Sequence, residues 1–134
     1  MTERTGHCLC GATSYRFDPD GIRFQDICHC ASCRRAAGAP FVGWVGVADS
    51  HWQWTGAQPA TFASSPGVTR TFCRTCGTPL TYATRDLPDE THFSAATLSD
   101  PADFHPTRQV FADEALPWSR IDPALPSDTG SADD

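Results

Sequence analysis

Apolar residues in this chain recur mostly at every second position, the spacing of half-buried strands. Thr13, Tyr15 and Phe17 alternate with polar neighbours, and Asp18-Pro19-Asp20-Gly21 follows with turn chemistry. Ile22 and Phe24 open a second alternating run, so residues 12–27 predict a β-hairpin. Residues 41–47 are apolar around Trp44, and Gly43 and Gly46 inside that run suit a bulge or a close backbone approach. Further strands are expected over 51–54, 60–63, 68–72, 79–84, 91–97 and 108–112. No segment carries the pattern of a long amphipathic helix. One short helix is expected over 31–37, ended by Gly38. Ten glycines and eleven prolines are spread along the chain, which fits many short elements joined by turns.

The 134 residues suit one domain. Folded sequence is expected over 4–121. From 122 onward the chain carries four acids, two prolines and little to bury, so 122–134 reads as a disordered acidic tail. The net charge of -6 argues against general affinity for nucleic acid or an anionic membrane surface. No apolar run approaches the roughly 18 residues that span a bilayer. Met1-Thr2-Glu3-Arg4 does not open a signal peptide, so a cytoplasmic location is expected. The composition leaves the oligomeric state open.

Seven cysteines change the picture. Without an export signal they are expected as thiols, and their grouping is that of metal ligands rather than disulfides. Cys73 and Cys76 stand two residues apart and are followed by Gly77; Cys8 and Cys10 form a tighter pair followed by Gly11. Such pairs grip a metal in a turn whose glycine adopts a left-handed conformation. Together they supply four thiolates for one closed, structural zinc, which would contribute directly to folding. The plainer alternative is buried free cysteine acting as a small hydrophobe. Cys28, Cys30 and Cys33 supply three more thiols within six residues. Three thiolates leave one tetrahedral position open for water or a substrate thiol, as in a catalytic zinc. Alternatively His29 is the fourth ligand and closes the site. Arg34 and Arg35 follow at once, either to meet a substrate carboxylate or as plain surface charges.

The cysteine groups and their flanks resemble the glutathione-dependent formaldehyde-activating enzyme family, also called the centromere-protein-V family. The resembling stretches are Gly6-His7-Cys8-Leu9-Cys10-Gly11-Ala12 and Cys28-His29-Cys30-Ala31-Ser32-Cys33-Arg34-Arg35-Ala36-Ala37-Gly38. They continue with Phe62-Ala63-Ser64-Ser65-Pro66-Gly67, Arg70-Thr71-Phe72-Cys73-Arg74-Thr75-Cys76-Gly77-Thr78-Pro79-Leu80, and the stretch 105–121 that contains Trp118. The resemblance implies a mostly β domain of several short antiparallel sheets around a four-cysteine structural zinc. It assigns Cys8, Cys10, Cys73 and Cys76 to that ion, and Cys28, Cys30 and Cys33 to a second, catalytic one. It further implies a carbon–sulfur lyase that condenses glutathione with formaldehyde to S-hydroxymethylglutathione, or cleaves that adduct.

The residues alone identify no acid or base. His29 is nearest in sequence to the second cluster; His92 and His105 could reach it only through the fold, and each also reads as an ordinary strand or surface histidine. Ser64 and Ser65 read as turn residues before Pro66. Trp44, Trp52, Trp54 and Trp118 suit a pocket wall or a small core, with core the expectation for at least two of them. The competing function is a non-catalytic, zinc-stabilised binding module for a small ligand or protein, which explains the cysteines equally well if the second site is closed.

Overall fold

The computed structural model describes residues 2–120 together with 124 and 126; the rest of the expected acidic tail, and Ile121, lie outside the described residues. The chain forms two sheets. The smaller orders its strands β1-β2-β5, from Arg4–His7, Ser14–Phe17 and Trp52–Trp54. The larger draws on β3 (Ile22–Cys28), β4 (Val42–Ala48), β6 (Ala60–Ser65), β7 (Val68–Phe72), β8 (Pro79–Thr84), β9 (Glu90–Ser94) and β10 (Arg108–Val110). Its order is β10-β3-β4-β9-β8-β7-β6. Pairing is antiparallel throughout, except that β10 runs parallel to β3. The fold is mostly β, as expected, with one α-helix among the described residues, α1, over Ala31–Ala37.

The core lies between the sheets. Tyr15 and Phe17 of β2 meet Val45 and Val47 of β4, Leu80 of β8 and Phe93 of β9, all nearly inaccessible to solvent. Phe93 is the hub: its ring lies 4.4 Å from Tyr15, 5.8 Å from Phe17 and 5.1 Å from Trp52. Burial of each such side chain is worth about 1.5–3 kcal/mol. Thr97 donates its hydroxyl proton to the Ser94 carbonyl at 2.7 Å, so the buried Tyr15 hydroxyl donates to Thr97, also at 2.7 Å. Burial pushes the Tyr15 phenol up to about 12.

The expected hairpin over 12–27 does not form. β2 pairs with β1 and β5, whereas β3 belongs to the other sheet. Between them a 3-10 turn over Pro19–Gly21, capped by the Asp18 carboxylate, carries the chain across the sandwich. The Asp18 amide donates to the His51 carbonyl at 2.9 Å, so the corner docks on the residue before β5. Alternation reports which face of a strand is buried, not which strand lies beside it. β1 escaped the pattern because its only buried residue is Gly6, on which the Tyr15 ring sits. The expected strands over 51–54, 91–97 and 108–112 are each part strand and part 3-10 turn. Ser64 and Ser65 close β6 rather than occupy the turn, which falls at Pro66-Gly67.

Gly46 shows why the apolar run 41–47 needs a glycine. Phe24 of β3 lies across it, and a Cβ at residue 46 would sit 2.1 Å from the Phe24 ring. The bulge is in the partner strand, between Ile22 and Phe24. Gly46→Ala must therefore displace the ring, at a cost of about 1–3 kcal/mol. Denaturant unfolding should show that loss, and an unchanged midpoint would mean that Phe24 swings aside freely.

Candidate functional site

Four sulfurs meet at one end of the sandwich. Cys8 and Cys10 come from the loop between β1 and β2, and Cys73 and Cys76 from the loop between β7 and β8. Cys8 Sγ lies 3.6 Å from Cys10 Sγ, and Cys10 Sγ lies 3.8 Å from Cys73 Sγ. A tetrahedral zinc with bonds of about 2.3 Å sets its sulfurs about 3.8 Å apart, so the donors fit that ion. Each loop is a tight turn: Gly11 donates to the Cys8 carbonyl at 3.1 Å and Gly77 to the Cys73 carbonyl at 2.9 Å, both glycines at φ 81°. Main-chain N–H groups face the sulfurs, from Thr13 to Cys8 at 3.3 Å and from Thr75 to Cys73 at 3.3 Å. The two loops also touch directly, through Leu9 N–H donating to Thr78 Oγ1 at 3.0 Å. The Cys76 N–H lowers the Cys73 thiol to about 7, and the Thr78 hydroxyl lowers Cys76 to about 5. Both favour the thiolate that a metal requires.

The second cluster joins Cys28 at the end of β3, Cys30 at the cap of α1 and Cys33 within α1, its sulfurs all within 4.8 Å of one another. The helix forms where expected and fixes the geometry. Cys30 Sγ accepts the Cys33 N–H at 3.3 Å, and Gly38 ends the helix at φ 62°. Cys28 donating to Cys33 lowers the Cys33 thiol to about 5, with Trp44 and the Arg70 charge adding to the effect. The same contact pushes Cys28 up. His29 does not join the cluster. Its Nε2 donates to Gln109 Oε1 at 2.7 Å, its ring lies against Phe41, and its buried Nδ1 has no hydrogen-bond partner. Among the described residues the second group thus offers three protein ligands, all sulfur.

A cleft of about 600 Å³ opens over that cluster. Its floor is the face of the large sheet opposite the core. Phe24, Asp26 and Cys28 occupy alternate positions of β3, with Trp44 beside them on β4 and Glu90 and His92 on β9. The charges are mostly compensated. Arg108 clasps the buried Asp26 with two bonds of 2.7 and 3.0 Å, across the parallel β10–β3 pairing. Buried Glu90 accepts from Arg23 at 3.1 Å and binds His92 Nε2 at 2.7 Å. The His92 ring is edge-on to Phe24 at 4.6 Å and stacked on Tyr82 at 5.4 Å. Burial, an acid partner and two aromatic walls give this histidine one orientation.

Not every expected residue reaches the cleft. His92 does; the His105 main-chain N–H donates to Gln25 outside it. Arg34 turns back, its Nε donating to the His29 carbonyl at 3.3 Å, while Arg35 lines a neighbouring groove. Trp44 is buried in the cleft wall, Trp52 and Trp54 pack on the core, and Trp118 is exposed. Arg23, Asp26, Tyr82, Glu90 and Arg108 were not singled out in the sequence. For Asp26 the available signal was a charged residue at a strand position with Phe24 and Cys28 at i±2; Arg23, between Gly21 and Gln25, and the uncharged Tyr82 carry no such signal.

The profile of a family described as glutathione-dependent formaldehyde-activating enzyme matches residues 3–114. A crystal structure of a Rhodobacter sphaeroides protein superimposes with a TM-score of 0.63 at 22% identity, covering 78% of this chain and 98% of that one, and so shares the fold. A search of curated proteins found no match.

The two clusters should respond differently to loss of one sulfur. Cys76→Ser removes one donor from a four-sulfur group that draws on both sheets and, with a metal bound, would tie them together. At roughly 4 °C per kcal/mol for a domain of this size, a loss of about 3 kcal/mol lowers Tm by about 12 °C. Cys30→Ser keeps a good helix cap and should cost one bound metal with little change in Tm. Metal analysis and thermal melts compare them, and equal damage would overturn the division into structural and functional clusters.

Proposed function

Because the chain belongs to the glutathione-dependent formaldehyde-activating enzyme family, we propose that it is a zinc-dependent carbon–sulfur lyase with two zinc ions per chain. Its reaction makes or breaks the bond between a thiol sulfur and a carbonyl carbon, and glutathione with formaldehyde is the first substrate pair to test. The observation that carries this reading is the cluster of three sulfurs, without a fourth protein ligand among the described residues, at the base of a cleft of about 600 Å³. That volume suits a small-molecule ligand.

Cys28, Cys30 and Cys33 would hold a zinc ion, which when bound would supply the Lewis acidity to keep a thiol as its thiolate near neutral pH. The chain's own groups do the rest. In the forward direction the sulfur bonds to the carbonyl carbon, the C=O π pair moves onto oxygen, and that oxygen takes up a proton. His92 is the cleft group suited to hold that proton, since Glu90 fixes its ring. Arg23 holds Glu90 in turn. Phe24, Trp44 and Tyr82 give the cleft aromatic walls.

Exchange NMR with ¹³C-formaldehyde and glutathione tests the proposal on zinc-replete protein. We expect faster interconversion of free and thiol-bound formaldehyde, two zinc ions per chain, and loss of the acceleration in Cys30→Ser. His92→Asn should slow the exchange by about 100-fold at unchanged zinc content. One zinc per chain and no acceleration with any thiol would overturn the proposal in favour of a non-catalytic binding module.

A further inference from the structure

The donors of the three-sulfur cluster do not balance the charge of the ion they would hold. Three thiolates outweigh a divalent ion by one negative charge, and an anionic fourth ligand makes the excess two. In a partly enclosed cleft such an excess is unfavourable unless a cation stands nearby. We propose that Arg70 of β7 is that cation, a positioning residue that lets the open metal position take an anion in preference to a neutral ligand. This rests on the reading of Cys28, Cys30 and Cys33 as an open metal site and adds what selects its fourth ligand.

Placement and elimination carry the argument. Arg70 and Cys33 line the cleft together, and they also line a smaller recess of about 150 Å³ between α1 and strands β7 and β8. The guanidinium therefore stands on the Cys33 side of the cluster, and its charge favours the Cys33 thiolate. The other charged groups of the cleft are compensated among themselves. Arg23 and His92 meet Glu90, and Arg108 meets Asp26. Among the described residues Arg70 is in no ion pair, so it is the one cleft arginine whose charge no carboxylate offsets. It is also held in place. The strand register sets Arg70 opposite Tyr82 and Tyr82 opposite His92. The side chains stack in that order, with the guanidinium 4.9 Å over the Tyr82 ring and the His92 ring 5.4 Å from Tyr82. Arg70 Nε donates to Ser64 Oγ at 3.3 Å. An arginine whose only partners are a ring face and a hydroxyl keeps its full charge for the cluster beside it.

The test compares two small probes on cobalt-substituted protein, read by visible absorption. One is thiocyanate, a monoanion; the other is imidazole at about pH 8, where it is neutral. The four-sulfur group has no open position, so the spectral change on adding either probe reports the three-cysteine cluster. We expect both probes to bind the wild type. Arg70→Gln should weaken thiocyanate by about 10-fold and change imidazole by less than about 2-fold. Arg70→Lys, which keeps the charge, should recover part of the thiocyanate affinity. Tyr82→Leu keeps the charge but removes its support, and should give a smaller loss for thiocyanate alone. Arg35→Gln removes the same charge from the neighbouring groove and should leave both affinities as they are. If Arg70→Gln does not fold, Tyr82→Leu decides by the same comparison of probes. Thiocyanate affinity unchanged in Arg70→Gln, both probes weakened alike, or an equal loss in Arg35→Gln would overturn the proposal and leave the open metal site standing. No spectral response of the wild type to either probe would overturn the open site, and the proposal with it.

Discussion

Four sulfurs meet where this sandwich closes at one end. Cys8 and Cys10 extend the small sheet, Cys73 and Cys76 extend the large one, and nothing in the local sequence of either loop would bring them together. A core of this size has little stability to spare. A metal bound at that point would convert coordination energy into folding energy and fix how the sheets stack. The contacts around Phe93, from Tyr15, Phe17 and Trp52, depend on that stacking.

With the core secured on one face of the large sheet, the opposite face is free for chemistry. The period of two divides the work within single strands. On β9, Phe93 faces the core while Glu90 and His92 face the cleft; on β4, Val45 and Val47 face the core while Trp44 lines the cleft. Rigid strands set the spacing of cleft groups better than loops could. Each buried carboxylate there meets an arginine, Asp26 with Arg108 and Glu90 with Arg23. An unpaired charge in such a position would cost several kcal/mol.

What could be read from sequence was local. Each cysteine pair, the three-cysteine run, and the helix over 31–37 with its Gly38 stop follow from short-range geometry that a few adjacent residues impose. Strand partners and the cleft were not legible, because they come from distant segments. Arg108 reaches Asp26 across 82 positions, and Arg23 reaches Glu90 across 67. The false hairpin over 12–27 has the same origin: Asp18-Pro19-Asp20-Gly21 looks like a return, but the chain turns a corner there and joins another sheet. Arg34 and Arg35 are adjacent in sequence yet diverge, because neighbours on a helix point about 100° apart. One folds back on the His29 carbonyl and the other faces the groove.

Cys30 stands at two boundaries at once. Its sulfur is both a member of the three-cysteine cluster and the acceptor that caps α1. A helix of seven residues cannot hold itself in water and takes its order from its ends and its packing. Oxidation of that one sulfur would therefore fray a wall of the cleft while the sandwich, with its core on the other face of the large sheet, stayed intact. The protein has a rigid half and a conditional half, and the border between them runs through a single sulfur atom.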